Sequence, residues 1–455
     1  MSTNYANPSQ LSLQLSLQSL LRRLHDSLPV DPSKPVPYHR SFVPLITLWY
    51  LIFQRLNPDS SLQAVVIDAL GGGAAALARP GQPSNLGLKS SQTSSYSDAR
   101  QRLDLSWVQE IFRLSCRIEA GGQEIQLPDE PPLQIMDGTM VGMLTNPALS
   151  AVYPPAANQN GVSCWSQIRC VGLFGQARGE VRDLAYGPVT TSEQALCWEL
   201  LAWSRPGSIT LMDRNFGVYS VVQAAAHHQQ HVLVRMTQSR AKKLAGDREM
   251  VPGEDRLVTW SPSPNDQLCP DAPSEPVQGR LILVELCRKG FPPMRLWLFT
   301  TLIDAHQYPV QQLVEWYGLR WQVEIGMRHL KSAMGMKELR ARTPEMAVKE
   351  LYAGMIAHNL VCMTRQACAR RLGVSCLSLS YQGARRLLWN YIRGGLNPFT
   401  CPEGMLKGLC LPRRSAPREP EPRMIRQRPR SFPPMRGSRQ KARETLAKRN
   451  LQPES

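Results

Sequence analysis

The chain is 455 residues long, with 42% hydrophobic and 20% charged residues, which excludes a disordered protein and predicts more than one domain. Its formal net charge of +17 favours a polyanionic partner, most commonly nucleic acid; a basic protein kept in solution by its charge is the alternative. Eleven cysteines without a CxxC pair argue against a disulfide framework or a zinc module, so we expect reduced thiols in a cytoplasmic protein.

Residues 1–125 are predicted to form a helical N-terminal domain. Leucines recur at helical spacing near the start, where the basic head and apolar stretch of a secretory signal are missing. The apolar run from Phe42 to Phe53 is typical of a buried helix and is too short to span a bilayer. Because of this short length, we expect no membrane association. Gly71, Gly72 and Gly73 interrupt the helical pattern, and they are not expected to form a phosphate loop because no Lys-Ser or Lys-Thr follows at the required distance.

Short apolar runs broken by Gly, Pro and Asn begin at Leu133 and are typical of β-strands. The runs are LQIMDGTMVGML, SCWSQIRCVGLF, RDLAYGPV, SITLM and HVLVRM, with helical text between the last two. Residues 126–235 are therefore predicted to be the first part of an α/β core. Residues 236–300 read as a β-rich insertion, and residues 301–411 as the second, helical part of that core.

The last segment, residues 412–455, has a different composition. It contains thirteen Arg and Lys residues against four Glu, which is +9 of the chain's +17, and it has several prolines. Such a segment buries too little apolar surface to offset its ordering entropy, so we expect a basic tail that is disordered when free. Its charge indicates phosphate contacts; a solvated tail without a function is the alternative.

Four polar residues are predicted to share one side of a helix. At 100° per residue, an arc of roughly 60° contains Tyr317, Arg320, Glu324 and Lys331. Beside the arc runs an apolar stripe that should face the core, formed by Trp316, Val323, Met327, Leu330 and Met334. The Glu324 carboxylate should therefore lie at the margin of a buried face, next to cations. A surface helix with an i,i+4 Arg–Glu ion pair is the alternative.

Two aspartates each follow an apolar run and are expected at or near the end of a strand. Asp137 follows LQIM, and Asp213 follows SITLM. Adjacent strand ends could bring the two carboxylates together, and a helix packed on the sheet could add Glu324. Three converging carboxylates are the ligand set expected for Mg²⁺ or Mn²⁺, and two such ions about 3.5–4 Å apart would activate an attacking oxygen and stabilise a leaving one. A turn or cap role is the alternative for each aspartate alone.

These motifs resemble DDE transposases of the insertion-sequence type four family. The resemblance rests on MDGT around Asp137, MDRNF around Asp213 and the spacing Tyr317-x2-Arg320-x3-Glu324-x6-Lys331, and it covers most of residues 30–440. It implies a ribonuclease H-like catalytic core, interrupted by the β-rich insertion, with the three carboxylates as ligands of two Mg²⁺ or Mn²⁺ ions. It also implies cut-and-paste transposition: hydrolysis at the end of an insertion sequence frees a 3′-hydroxyl that attacks target DNA, in some members through a DNA hairpin.

The resemblance further implies contacts with double-stranded DNA at the terminal inverted repeats and the target. Phosphate contacts fall on Tyr317, Arg320, Arg328 and Lys331, because Arg grips a phosphate bidentately and Lys acts as a point charge. Trp297 stands where some members stack a flipped base; a core tryptophan is the alternative. Contacts from the N-terminal domain are expected from Ser95, Tyr96, Ser97, Arg100 and Arg102. A homodimer on paired ends, in a bacterial cytoplasm at the nucleoid, is the expected assembly.

Two features depart from the resemblance or stand outside it. The text after MDGT lacks the charged run typical of many relatives, and the group His227, His228 and His231 lacks further ligands for zinc, so surface histidines are expected. Two other functions fit the sequence. One is a catalytically silent DNA-binding protein derived from a transposase, and the other is a metal-dependent nuclease that cuts without strand transfer.

Overall fold

The computed structural model describes residues 21–22, 25–26, 41–78, 81–117, 133–158, 161–287, 293–394 and 396–411. The predicted basic tail lies outside these residues.

From residue 41 to the first strand, the described residues form four α-helices, in the region predicted to be helical. They are α1 (Pro44–Leu56), α2 (Leu62–Leu70), α3 (Ser94–Arg102) and α4 (Leu105–Ser115). Helix α1 is the predicted apolar run, and nearly all of its side chains are buried. Helix α2 begins where the Ser61 hydroxyl accepts a hydrogen bond from the Ala64 N–H, and α4 begins in the same way at Asp104. Throughout the described ranges, each helix is too short or too polar to traverse a lipid bilayer.

The next part of the chain alternates between strands and helices. Its strands are β1 (Leu133–Leu144), β2 (Pro155–Asn158), β3 (Gly161–Gly175), β4 (Val181–Pro188), β5 (Ile209–Met212), β6 (His231–Arg235), β7 (Asp255–Trp260), β8 (Val277–Leu286), β9 (Met294–Thr300) and β10 (Glu338–Leu339). The helices between them are α5 (Pro147–Val152), α6 (Glu193–Trp203), α7 (Tyr219–His227) and α8 (Gln238–Ala245). The predicted α/β class is therefore confirmed.

All ten strands belong to one mixed sheet. Its order is β2-β3-β1-β5-β6-β9-β8-β7, with β4 beside β3 and β10 beside β1. Strands β1, β5 and β6 are parallel, whereas β3 is antiparallel to each of its three neighbours β1, β2 and β4. The strands predicted for the β-rich insertion are present, but they extend this sheet beyond β6, because β9 pairs antiparallel with β6.

The two faces of the sheet carry separate hydrophobic clusters, because successive strand residues point to opposite sides. On one face, Ile135 of β1 packs in a cluster with Val323 and Met327. On the other face, Met136 packs in a cluster with Leu196 of α6. We call the face that carries Ile135 the front face and the face that carries Met136 the back face. Helices therefore cover both sides of the sheet, as in other α/β proteins.

The predicted helical segment after β9 is present but interrupted. It consists of α9 (Val310–Leu319), α10 (Trp321–Arg328), a π-helical turn (His329–Ala333) and α11 (Pro344–Leu372), followed by α12 (Tyr381–Ile392) and α13 (Glu403–Leu409). Helices α9 and α10 meet at Arg320. The apolar stripe faces the core as predicted: Val323, Met327, Leu330 and Met334 are buried, and Trp316 is partly buried against them. We have no physical account of the π-helical turn.

Helix α11 joins the N-terminal helices to the sheet through buried polar contacts. The Glu350 carboxylate accepts hydrogen bonds from Arg55 at 2.8 Å and from Arg100 at 2.5 Å, and its side chain is 3% exposed. Tyr96 is also buried, and its hydroxyl donates to Gln54 at 2.8 Å. Tyr96 and Arg100 are thus engaged inside the protein in this conformation, and their contact with DNA stays a prediction.

Helix α11 also buries a histidine whose ring is held in the neutral form. The Tyr381 hydroxyl lies 2.8 Å from His358 Nδ1, and the Gly179 carbonyl lies 2.9 Å from Nε2. A carbonyl only accepts, so Nε2 carries the proton and Nδ1 accepts from the tyrosine. Burial lowers the pKa of His358 to about 4.

We expect this histidine to make the protein sensitive to acid. His358 of the unfolded chain takes up a proton as the pH falls below about 6.5, whereas His358 of the folded protein stays neutral until the pH nears 4. The free energy of unfolding therefore falls between these two pH values. The full loss is about 3 kcal/mol. Urea unfolding of the wild type and of His358→Gln at pH 7 and pH 4.5 measures it. The variant should lose less stability than the wild type on acidification, and equal losses would contradict the prediction.

Candidate active site

Asp137 lies on the front face of the sheet, where β1 loses a neighbour. It is the fifth residue of the 12-residue strand β1 and pairs with Gly172 of β3. The prediction that Asp137 lies at or near the end of its strand is wrong, because β3 pairs with β1 from Gln134 to Leu144 and the strand continues well past Asp137. Strand β5, in contrast, pairs only as far as Ile135. Asp137 therefore lies beside the point where β5 ends.

Asp213 directly follows β5, as predicted, and lies level with Asp137. The parallel register pairs Ile135 with Leu211, and both of these side chains belong to the front-face cluster. Continuing that register by two residues brings Asp213 beside Asp137 on strands about 5 Å apart. The electrostatics agree with this placement. Burial raises the pKa of Asp137 to about 6, its backbone contact with Gly138 opposes the rise, and the nearby Asp213 carboxylate adds to it.

Glu324 lies on the helix that covers the same face, but its carboxylate is bound to a cation of the chain. It accepts a hydrogen bond from Arg320 at 3.0 Å, and its side chain is 35% exposed. This is the i,i+4 ion pair considered for the sequence. Within the residues that the structure describes, no group of three or more His, Cys, Asp or Glu side chains is arranged to hold a metal ion. The structure thus brings the two aspartates together and leaves Glu324 paired with Arg320.

The predicted phosphate-binding residues flank these carboxylates. The Arg320 side chain is 14% exposed, and its guanidinium lies 6.0 Å from the centre of the Tyr317 ring. Burial raises the pKa of Tyr317 to about 12, against the opposing charges of Arg320 and Arg235, and the charge of Asp213 adds to the rise. Tyr317, Arg320 and Asp213 are therefore neighbours.

The two later cations of the helix differ in their surroundings. Lys331 is partly buried in the π-helical turn, where its charge acts on Cys170, a front-face residue of β3 that pairs with Thr139. Lys331 therefore lies over the same face as Asp137. Arg328 is exposed in the last turn of α10. Arg328 is therefore open to solvent, whereas Lys331 is partly covered.

Trp297 is not brought to this site. Its side chain is 6% exposed and packs in the back-face cluster, on the other side of the sheet from Ile135 and the aspartates. A DNA base would reach the ring only after the surrounding side chains moved. In this structure Trp297 is a core residue, which was the alternative considered for the sequence.

Three residues at the site were missed in the sequence. Glu193 begins α6 behind Gly138, Arg235 ends β6 near Tyr317, and Trp321 is 64% exposed beside Arg320. For Arg235 a signal was present, because HVLVR is an apolar run that ends in a charged residue, like SITLMD. Glu193 and Trp321 had no such signal, since a first-turn acid and a helical tryptophan are common.

The side chains present fit divalent cations in chemical type. Carboxylate oxygens are the ligands that Mg²⁺ and Mn²⁺ prefer, and the half-buried Asp137 and Asp213 place two carboxyl groups side by side on the front face. Glu324 would complete a set of three once its carboxylate left Arg320. The other possible group, His227, His228 and His231, lies at the surface or half-buried and forms no metal-binding set among the described residues.

Comparison with known proteins identifies the family to which the chain belongs. The sequence model of the family "Transposase DDE domain" matches residues 128–360, which is more than half of the chain. The transposase InsG of insertion sequence element IS4 from Escherichia coli (strain K12) is 24% identical over 273 residues, or 59% of this chain and 60% of that protein. The transposase of insertion sequence element IS421 from Escherichia coli is 34% identical over 64 residues, or 14% of this chain and 17% of that protein.

A solved structure also resembles the chain, more distantly. The piggyBac transposase in its synaptic complex with hairpin DNA aligns over 86% of this chain and 80% of that one, at 10% identity and a TM-score of 0.43. This likeness is too low to add to the assignment, which rests on the sequence match over residues 128–360. The resemblance to insertion-sequence type four transposases is thereby confirmed, and the chain belongs to the transposase DDE domain family.

Proposed function

We propose that this chain is the DNA transposase of an insertion sequence, which cleaves the ends of the element and joins them to target DNA in a metal-dependent reaction. The observation that carries the proposal is the placement of Asp137 beside Asp213 on neighbouring strands, under the helix that bears Glu324. In a member of the transposase DDE domain family, this is the arrangement from which a three-carboxylate site would form.

The strand order supports a ribonuclease H-like core. Five strands run in the order β4-β3-β1-β5-β6, and β3 alone is antiparallel to its neighbours. We propose that the β-rich segment is an insertion added to the edge of that core at β6. The domain boundaries inferred from the sequence remain predictions.

Asp137, Asp213 and Glu324 would hold two Mg²⁺ or Mn²⁺ ions. Such ions, when bound, activate an attacking oxygen and neutralise charge on a leaving one. Asp137 lies within the paired strand β1, and Asp213 directly follows β5 and accepts a hydrogen bond from the Asn215 N–H, so both aspartates need little movement. Glu324 first has to separate from Arg320, and we propose that DNA binding causes this separation. A DNA phosphate competes with Glu324 for the Arg320 guanidinium, because its two non-bridging oxygens can accept two parallel hydrogen bonds from that group.

Tyr317, Arg328 and Lys331 would add contacts to the DNA backbone around the same helix. The proposed substrates are the terminal inverted repeats of the element and the target duplex, held by a homodimer on paired ends. Base stacking on Trp297 stays a prediction, and it would require this part of the back-face cluster to open. A DNA hairpin among the cleavage products would show that the reaction passes through a hairpin intermediate.

One experiment separates the proposed function from its two alternatives. Purified full-length protein is incubated with Mg²⁺ or Mn²⁺ and a DNA fragment that carries the ends of its own element. A transposase excises the fragment and joins it to a second duplex. Nicks or breaks without joining would identify a nuclease. Binding without any cleavage, in either metal, would identify a catalytically silent DNA-binding protein, and both results would overturn the proposal.

The basic tail gives a separate prediction about DNA affinity. Removing residues 412–455 takes away a net charge of +9. We expect weaker binding and a shallower dependence of the affinity on salt, by about 0.9 in the logarithmic slope for each phosphate that the tail no longer neutralises. Fluorescence anisotropy with labelled DNA at several salt concentrations measures the slope. A full-length variant with the tail's Arg and Lys replaced by Gln is the control, and it should match the truncation. An unchanged slope would make the tail a solvated extension.

A further inference from the structure

Glu193 touches the backbone beside both aspartates. It is the first residue of α6, and its carboxylate lies against the back face of β1 at Gly138, the residue after Asp137. A Cβ atom at Gly138 would lie 2.5 Å from the Glu193 carboxyl carbon, so only glycine leaves room for this approach. The strand that carries Asp137 is thus in direct contact with the Glu193 carboxylate.

The same carboxylate holds the turn that carries Asp213. The Asn215 side-chain amide donates to Glu193 Oε2 at 2.5 Å, and the Asn215 backbone N–H donates to Asp213 Oδ1 at 2.8 Å. The next residue of α6 supports the arrangement, because Gln194 Nε2 donates to the Asn215 carbonyl at 2.9 Å. The N-terminus of α6 therefore fixes the position of Asn215, and Asn215 fixes one oxygen of Asp213.

Glu193 approaches the aspartates from the back of the sheet. Gly138 follows the front-facing Asp137 on β1, so the Glu193 carboxylate lies behind the strand, on the side of Met136. We infer that Glu193 is a positioning residue, which acts through Asn215 and Gly138 to hold Asp213 beside Asp137 at the spacing that a shared divalent cation requires. This inference rests on the proposed function.

A plain helix-end role would leave a different signature. An acid in the first turn stabilises a helix through its dipole, and α6 already has a cap, since the Ser192 hydroxyl accepts from the Ala195 N–H. Glu403 stands at the same first position of α13 but is exposed and far from the aspartates in sequence. It is therefore the matched control for the dipole contribution alone.

The test measures cation affinity rather than activity. Mn²⁺ is titrated into the full-length protein and followed by electron paramagnetic resonance, with thermal midpoints recorded for each variant. Loss of a partner that orients a metal ligand typically costs about 10- to 100-fold in affinity, so Glu193→Ala should weaken Mn²⁺ binding by that factor. Glu193→Gln keeps an oxygen to accept from Asn215 and should stay close to the wild type. Glu403→Ala should also bind as the wild type does.

The outcomes separate this inference from the proposed function. Asn215→Ala leaves Glu193 in place but breaks its route to Asp213, so it should weaken binding like Glu193→Ala and serves if that variant fails to fold. Wild-type affinity in Asn215→Ala and Glu193→Ala would overturn the positioning role alone. If Glu193→Gln lost as much affinity as Glu193→Ala, the charge rather than the contact would matter, which also overturns it. Mn²⁺ binding unaffected by Asp213→Asn would overturn the proposed function itself.

Discussion

Glu324→Gln should abolish DNA cleavage and leave DNA binding nearly unchanged. The amide keeps the volume of the side chain and one oxygen to accept from Arg320, so the helix should pack as before. It loses the negative charge that a divalent cation needs. A bound cation contributes several kcal/mol to the stabilisation of the transition state, so the rate should fall on the order of 10³-fold or more. Single-turnover cleavage of labelled end-bearing DNA in Mg²⁺ measures the rate, and anisotropy measures binding.

The matched control is Glu315→Gln. Glu315 lies on the neighbouring helix α9, is exposed, and accepts a hydrogen bond from Gln311. Its substitution should change neither cleavage nor binding. Cleavage by Glu324→Gln within about tenfold of the wild type would mean that the step needs less than about 1.4 kcal/mol from this carboxylate, which removes Glu324 from the metal site.

Glu350→Gln should destabilise the whole molecule. The carboxylate joins Arg55 of α1 and Arg100 of α3 to helix α11, and it also accepts from the Arg340 N–H at 3.1 Å. A neutral amide would leave two guanidinium groups, each mostly buried, without a counter-charge. Removing one partner of a buried ion pair typically costs about 3–5 kcal/mol. We expect a loss of that size in the apparent free energy of unfolding, measured with urea at pH 7.

A surface ion pair provides the comparison for this loss. Glu285 accepts from Arg295 at 3.5 Å across β8 and β9, and both side chains are exposed. Exposed pairs contribute about 0–1 kcal/mol, so Glu285→Gln should unfold almost as the wild type does. Equal effects of the two substitutions would show that Glu350 does not hold the N-terminal helices.

The sequence allowed the periodic parts of the fold to be predicted. The apolar run in α1 and the stripe beginning at Trp316 both depend on helical spacing, which local sequence shows directly. The strands around Asp137 and Asp213 were recognised from short apolar runs. Their adjacency was a hypothesis, because pairing between β1 and β5 joins residues that are distant along the chain, such as Ile135 and Leu211.

Features that depend on contacts across the sheet could not be predicted. The run LQIM followed by Gly-Thr predicts a strand end at or near Asp137, yet pairing with β3 continues β1 as far as Leu144. Trp297 was placed near the DNA by resemblance, and the alternation of β9 turns its ring to the back face. The ion pair between Arg320 and Glu324 was foreseen as an alternative, since i,i+4 spacing alone brings such side chains together.

Helix α11 has a consequence for attempts to divide the protein. Its 29 residues are covered by α1, α3 and α4 on one side and by the sheet on the other, and residues of all these elements belong to one continuous cluster. A fragment that starts at residue 126 would uncover apolar side chains such as Leu351 and Met355, together with the charges of Glu350 and Lys349. Expressed alone, it should aggregate, whereas the two halves supplied as separate chains should reassemble around this shared helix.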